Sequence, residues 1–487
     1  MRQYSILHIS DLHRIKPENV DCLMASFAVE KNRYTEMDIP PVGLIVVSGD
    51  IVNGSNQKDS GLAKQEIQQQ YEIAAQFLYD LCALFIGNKQ QDRLRVIIVP
   101  GNHDMSRYAS ILSMDEISHD DINTLAGSLW EDNTDIRWSW SNLHFYKITN
   151  KELYNQRFDD FITFYDKFYD GLRTYPKDPE RQSAIIDIPE LNITLACFNS
   201  CYRLDHLRYS GYISPRSLSM LTRPLLDAKI KGRMIVGVWH HHTRGLPNES
   251  NYLNYSILDN IAQNGIHLAL HGHQHICGIA NEYKDVFSDV KLSMISAGTL
   301  YGNHFDVPTT KTRQYNLLVI NMYDEHCDIT VHSREDSTAL NEMPAWSVGM
   351  IGRSRVPSYT FSVPISVCAA KSGEEELQER INQINLQMEK SGDIPKAVCQ
   401  IESLGTDAPI VRKFLLDLLL RVDNHGKICE HFSSPQNLQE AIAVIDSCIK
   451  QSDKGTFMAV MDSEFVRSSS DASLNEIIID AKLQFKL

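Results

Sequence analysis

Asp11-Leu12-His13, Gly49-Asp50, Gly101-Asn102-His103-Asp104, His240 and Gly272-His273-Gln274-His275 follow one another in that order, each directly after a short apolar run. Aspartate and asparagine oxygens mixed with histidine nitrogens, and no thiolate among them, suit borderline divalent ions such as Mn2+, Fe2+ or Zn2+. Two such ions ~3.5–4 Å apart need one carboxylate between them, and the pair can clamp phosphoryl oxygens while lowering the pKa of a shared water. The number of ligands matches a two-metal site.

The runs that must position these residues are Ser5–Ile9, Leu44–Val47, Val96–Val99, Ile235–Trp239 and Ile266–Leu270. They are short, rich in β-branched residues and ended by polar residues or glycine, which reads as strands buried on both faces. Every polar cluster then sits where a strand ends, on the rim where ligands collect in open α/β layers. An isolated Asp-x-His or Gly-Asp is an ordinary occurrence; the ordered set carries the inference. His240, His241 and His242 are consecutive. His240 is preferred to His241 as the ligand, because it is the first residue past the strand and period-2 alternation turns its neighbour away. His8 and His271 lie within or at the end of apolar runs and read as packed histidines or as supports behind the ligands.

With these residues in place the chain resembles the calcineurin-like metallophosphoesterase superfamily over roughly residues 1–340. The resemblance implies a four-layer αββα sandwich and two divalent metal ions, Mn2+ first, with Fe2+ or Zn2+ as alternatives. It implies that Asp11, His13 and His275 hold one ion, that Asp50 bridges, and that Asn102, His240 and His273 hold the other. His103 would be a proton donor to the leaving group rather than a ligand, oriented by Asp104. The family often has two histidines and a proline at the fourth motif, whereas Thr243 follows the histidines here.

Two further regions are expected. Residues 107–180 form an insertion holding Trp130, Trp138 and Trp140 and an aromatic stripe, Phe158, Phe161, Phe164/Tyr165 and Phe168, at helical spacing. It reads as a helical cap packing its own small core, a few of whose rings line the mouth of the site and stack on a nucleobase. Residues 341–373 read as a linker or strap that packs back through Trp346, and 374–487 as an all-helical domain in helices 374–390, 393–404, 408–422, 436–450 and 474–485, by apolar spacing.

A length of 487 residues and 43% hydrophobic content allow more than one cored domain. No run of ~18 apolar residues occurs, and the N-terminus enters the first strand without a signal-like segment, so the expectation is a cytoplasmic protein with no membrane association. The ten cysteines form no Cys-x-x-Cys pair and read as reduced thiols. A net charge of −15 disfavours a general footprint on duplex nucleic acid. Arg203, His206 and Arg208, like Lys229, Lys231 and Arg233, read as a solvated face. With 19 acidic and 13 basic residues over 366–487, the tail is not an obvious nucleic-acid arm; a protein partner or self-association is the preferred role, and a passive buttress is the alternative.

The favoured function is a dinuclear-metal phosphodiesterase acting on a nucleotide or nucleic acid, a nuclease included. A phosphomonoesterase or protein phosphatase of the same superfamily is the alternative. A catalytically silent scaffold is disfavoured because Asp11, Asp50 and His273 are all present.

Overall fold

The computed structural model describes residues 2–12, 17–57, 59–117, 122–129, 131, 134–243, 251–284, 291–300, 312–338, 343–352, 355–365, 373–405 and 408–487. The chain divides into two compact units, Met1–Cys368 and Ala369–Leu487.

In the first unit β1 (Arg2–Ile9), β2 (Val42–Val47) and β3 (Val96–Ile98) run parallel at one side of a seven-stranded sheet. The insertion follows, with β4 (Met114–Ile117), β5 (Ile136–Ser139) and β6 (His144–Ile148) in an antiparallel three-stranded sheet of their own. Then β7 (Ser183–Ile188), β8 (Ile193–Phe198), β9 (Met234–Val238), β10 (Leu268–His271), β11 (Cys277–Lys284) and β12 (Lys291–Ala297) build a six-stranded sheet in the order β11-β12-β10-β9-β8-β7. The chain returns to the first sheet with β13 (Gln314–Met322), antiparallel to β1, then β14 (His326–Asp336), on which β15 (Trp346–Val348) and β16 (Ser358–Pro364) both pair.

Strand alternation sorts the apolar residues into layers. Tyr4, Ile6, Leu44 and Val46 meet Ile193, Leu195, Val236, Val238, Leu268 and Leu270 between the two sheets. Their neighbours Leu7, Ile9, Ile45 and Val47 face outward onto the helices Pro17–Glu36 and Ser60–Phe85. On the other side Ala196, Phe198, Ile235 and Trp239 pack on the helices Pro215–Ile230 and Ile257–Gln263. The result is the four-layer αββα sandwich, with both faces of the central strands buried as their unbroken apolar runs require.

Three features differ from the sequence reading. The insertion mixes helices with the β4–β6 sheet, because its strand segments are only four or five residues long, too short for periodicity to separate from loop. The stripe on the helix Asp159–Tyr169 packs neither on a core private to the insertion nor at the mouth of the site. Phe161, Phe164 and Phe168 join the main core under Ser60–Phe85, with Tyr71 stacked on Phe164 at 4.8 Å and Tyr79 on Phe168 at 4.9 Å. Residues 346–364, read as a strap, supply two strands to the first sheet.

Trp346 is held by a buried network around Glu30. The Glu30 carboxylate accepts from Arg334 Nε at 2.7 Å and the Tyr315 hydroxyl at 3.1 Å, while Arg33 donates to Glu30 at 2.9 Å and to the Trp346 carbonyl at 2.6 Å. The second unit is helical from Gly373 to Phe485 around one core, and it includes three helices beyond the sequence reading, His425–His431, Lys454–Asp462 and Glu464–Ser468. At five to nine residues each they hold too few turns to show a periodic stripe. A buried pair, Arg412 with both oxygens of Glu440 at 3.1 and 2.7 Å, lies inside this unit. Among the described residues no helix is long and apolar enough to cross a membrane.

All five tryptophans lie in the first unit, so tryptophan fluorescence reports its unfolding separately. Glu30→Ala leaves the Arg334 guanidinium buried without its carboxylate, and the expected loss is about 3–5 kcal/mol of first-unit stability in urea. A loss under about 1 kcal/mol, the range of exposed pairs, would refute the clamp.

Candidate metal centre

The ligand candidates converge where β1, β2, β3, β9 and β10 end. Asp11 lies two residues past β1 and Asp50 three past β2, and the two turns are laced by backbone bonds, Asp11 N–H to the Gly49 carbonyl at 3.1 Å and Leu12 N–H to the Asp50 carbonyl at 2.8 Å. Gly272 N–H donates to the His240 carbonyl at 3.1 Å, and the Thr299 hydroxyl donates to the Asp11 carbonyl at 3.1 Å. Asp11, Asp50, His273 and His275 all have left-handed backbones, with φ between 54° and 72°. Non-glycine residues rarely sit there, and such strain collects at functional sites. Two glycines allow the approach: a Cβ on Gly101 would overlap the Asp50 carboxylate, and one on Gly272 would overlap Ser10 and Asp11.

The donor atoms of Asp11, Asp50 and His240 lie within 4.8 Å of one another, all buried. His240 Nε2 stands 3.2 Å from Asp50 Oδ2 and 3.0 Å from Asn102 Oδ1, and His273 Nδ1 stands 2.9 Å from the same Asn102 oxygen. Asp50, Asn102, His240 and His273 thus present donors to one point. His275 Nε2 lies 3.2 Å from Asp11 Oδ1 on the other side. His13 lies outside the described residues. His241 turns Nδ1 to Ser200 Oγ at 2.9 Å, and that hydroxyl also accepts from the backbone N–H of His240 and His241 at 3.2 Å each.

The charges fit cations. The basic groups acting on Asp11 are imidazoles: burial raises its pKa, and His275 and His240 bring it below the ordinary value against the opposing pull of Asp50. His240 is pulled down by burial, yet Asp50, Asp11 and the Ser48 carbonyl lift it to about 9. Ser48 O can only accept, so His240 Nδ1, 2.8 Å away, carries a proton there, and Nε2 is the nitrogen whose lone pair can serve a metal. Burial and His240 together lower His273 to about 4, keeping it in the neutral form that binds metal.

Asp104 does not orient His103. Its carboxylate accepts from Gly101 N–H at 2.8 Å, Ile51 N–H at 3.1 Å, Val52 N–H at 3.3 Å and the Tyr71 hydroxyl at 3.1 Å, so it locks the second motif's turn to the third. Burial and the charge of Asp50 raise it to about 7. His103 is oriented instead by the Asn53 carbonyl, 3.1 Å from Nδ1, and by its own N–H, which donates to Asp50 Oδ1 at 2.8 Å. The i, i+1 placement sends the two side chains to different partners.

His103, Asn102 and His273 line a cavity of about 550 Å³. Its other walls include Asn53, Asn56, Arg107, His206, Tyr209 and Asn251, none singled out as a site residue from the sequence. Asn53 was findable as the polar residue closing the turn after Asp50; the rest belong to segments without a motif. Trp138 and Trp140 are not among the lining residues, and Trp130 lies outside the described residues.

An αββα sandwich whose rim gathers carboxylates, an amide and imidazoles defines a metal-dependent phosphoester hydrolase. The family model for calcineurin-like phosphoesterases matches residues 4–277, and the chain belongs to that family, which implies two divalent metal ions. Among solved structures, it is similar to a dimetal phosphatase from Danio rerio (13% identity, 73% of this chain and 98% of that one, TM-score 0.35). It is also similar to the calcineurin-like phosphoesterase YfkN from Bacillus subtilis (12%, 80% and 98%, 0.26) and to a metallophosphoesterase from Sphaerobacter thermophilus (16%, 64% and 82%, 0.23). No curated protein matches the sequence.

Asp50 touches both halves of the donor set, so Asp50→Asn is expected to lower the occupancy of both ions together, read by elemental analysis of purified protein. Retention of two ions per chain would overturn this placement.

Proposed function

We propose that this chain hydrolyses a phosphodiester in a nucleotide or nucleic acid, with Mn2+ as the preferred metal and a cytoplasmic location. The observation that carries the reading is the cavity beside His103. At about 550 Å³ it exceeds what a phosphate needs, and an arginine, four asparagines and the half-exposed Tyr209 ring surround it, groups suited to a sugar and base.

Two ions held by Asp11, His13 and His275, by Asn102, His240 and His273, and by Asp50 between them would polarise the phosphoryl oxygens and lower the pKa of the attacking water. The protein's own part is orientation and proton transfer. The Asn53 carbonyl fixes the Nδ1–H of His103, which assigns donation to the leaving oxygen to Nε2. Asp104 keeps the loop carrying both Asn102 and His103 in register with Asp50. Arg107, held by Asn56 at 3.0 Å, stands at the open side to meet a further anionic or polar part of the substrate.

The helical unit is proposed to bind a protein partner or a second copy. Ile479 and Leu483 on its last helix, with Leu487 just past the helix end, are 58%, 73% and 54% exposed.

EDTA is expected to abolish activity and Mn2+ to restore it, with faster turnover of bis-p-nitrophenyl phosphate than of p-nitrophenyl phosphate. The reverse preference would favour a phosphomonoesterase. His103→Ala is expected to keep both metals and to lose roughly 10²–10⁴ in turnover, most on esters whose leaving group has a high pKa. Equal losses on aryl and alkyl diesters would rule out an acid role.

A further inference from the structure

The cluster Arg203, His206 and Arg208 is not a solvated face. The segment carrying it, Tyr202–Tyr209, is a partition between two cavities. Leu204, Asp205, His206 and Tyr209 line the catalytic cavity, while Tyr202, Arg203 and Arg208 line another of about 370 Å³. Five cationic side chains border this second cavity: Arg137, Lys151, Arg157, Arg203 and Arg208. The carboxylates among its lining residues are Asp135 and Glu180.

Pairing consumes the negative charge. Lys151 holds Asp135 at 2.6 Å, and Glu180 is engaged by Arg216 at 3.1 Å. Asp205, behind the wall, accepts from Arg137 Nε at 2.6 Å, the Tyr154 hydroxyl at 2.9 Å and the backbone N–H of Leu207 and Arg208 at 2.9 Å each. With four donors in place its lone pairs are saturated. Arg157 donates to the neutral carbonyls of Leu204 (3.0 Å), Tyr202 (3.1 Å) and Tyr154, beneath the Tyr154 ring at 3.4 Å, so its charge is solvated but not cancelled. Arg203 lies over the Tyr212 ring at 3.8 Å. The half-buried Arg208 guanidinium forms no ion pair with a carboxylate among the described residues; the charge of Asp205 reaches it, but that carboxylate is already held by Arg137. Burial, with Arg137 and Arg203 beside it, holds its pKa below the ordinary arginine value against the opposing pull of Asp205.

Guanidinium groups gathered around one recess repel one another, and an anion entering it relieves that repulsion while gaining forked hydrogen bonds. A carboxylate offers two acceptor oxygens and one charge. A phosphate dianion offers three or more acceptors and a charge closer to the excess left by Arg157 and Arg208. We infer that this second cavity is a binding site for a phosphate dianion, free or as the terminal group of a nucleotide strand, with Arg208 as its principal ligand. The bound anion braces the Tyr202–Tyr209 partition and so the wall of the catalytic cavity. The inference is independent of which phosphoester the metal centre cleaves.

The test uses the full-length chain and first-unit unfolding by tryptophan fluorescence, with and without inorganic phosphate at constant ionic strength. A ligand that binds the folded form raises its midpoint by mass action. Phosphate is expected to raise the midpoint of the wild type and of Asp50→Asn, whose metal centre is impaired. Arg208→Gln is expected to unfold no earlier than wild type without phosphate, to lose the phosphate-induced rise, and to bind phosphate about tenfold or more weakly by calorimetry. In Asp50→Asn, tighter binding of a 5′-phosphorylated oligonucleotide than of its 5′-hydroxyl counterpart assigns the site to a strand terminus. Equal binding of the two, with inorganic phosphate still bound, assigns it to the free anion. An earlier midpoint for Arg208→Gln without phosphate, a rise that survives this substitution, or a rise absent from Asp50→Asn would overturn the inference.

Discussion

Two carboxylates, Asp11 and Asp50, are buried side by side at the ends of adjacent strands, and much of this unit's construction answers that constraint. Like charges withdrawn from water raise each other's pKa unless positive charge is supplied. His240, lifted to about 9, shows the size of the demand. Divalent ions would meet it better than a proton, because the Asn102 oxygen and the neutral His273 ring stand at the same point and could serve them. The left-handed backbones at both aspartates are held by the strand-end bonds that lace one turn to the other.

Precision at such a site depends on what lies beneath it. Strands buried on both faces cannot slide by one residue without moving their whole apolar set to the wrong layer. The rim therefore inherits its register from the core between the sheets. Asp104 and Ser200 extend that control outward: one carboxylate ties the turns after β2 and β3 together, and one hydroxyl fixes the backbone of His240 and His241. Neither residue needs to touch a metal to set where the ligands stand.

Charge is distributed against the chain's average. The protein carries −15 overall, yet the partition beside the metal centre concentrates arginines on its far side. The helical unit has its own apolar core and its own buried pair, Arg412–Glu440. Replacing such a pair with apolar residues is often neutral or stabilising, so its presence speaks for a specified arrangement of those helices rather than for added stability.

The sequence by itself determined the central strands and the residues at their ends, because a doubly buried strand must be an unbroken apolar run and a ligand turn must follow it at once. That local rule made Asp11, Asp50, Asn102, His240, His273 and His275 legible as a set and carried the four layers with the family resemblance. It extended to the longer C-terminal helices, whose apolar spacing is local as well. It did not reach the partners of His103 and Asp104, the lining of the catalytic cavity, or the destination of the aromatic stripe. Those depend on contacts between residues tens to hundreds of positions apart, such as His240 with Ser48 and Phe164 with Tyr71. A helical stripe records that one face is buried and carries no sign of which surface buries it. Likewise Arg203 and Arg208 read as ordinary surface cations until the tertiary structure closed Arg137, Lys151 and Arg157 around the same cavity, because charge compensation is a property of the enclosure and not of any one segment.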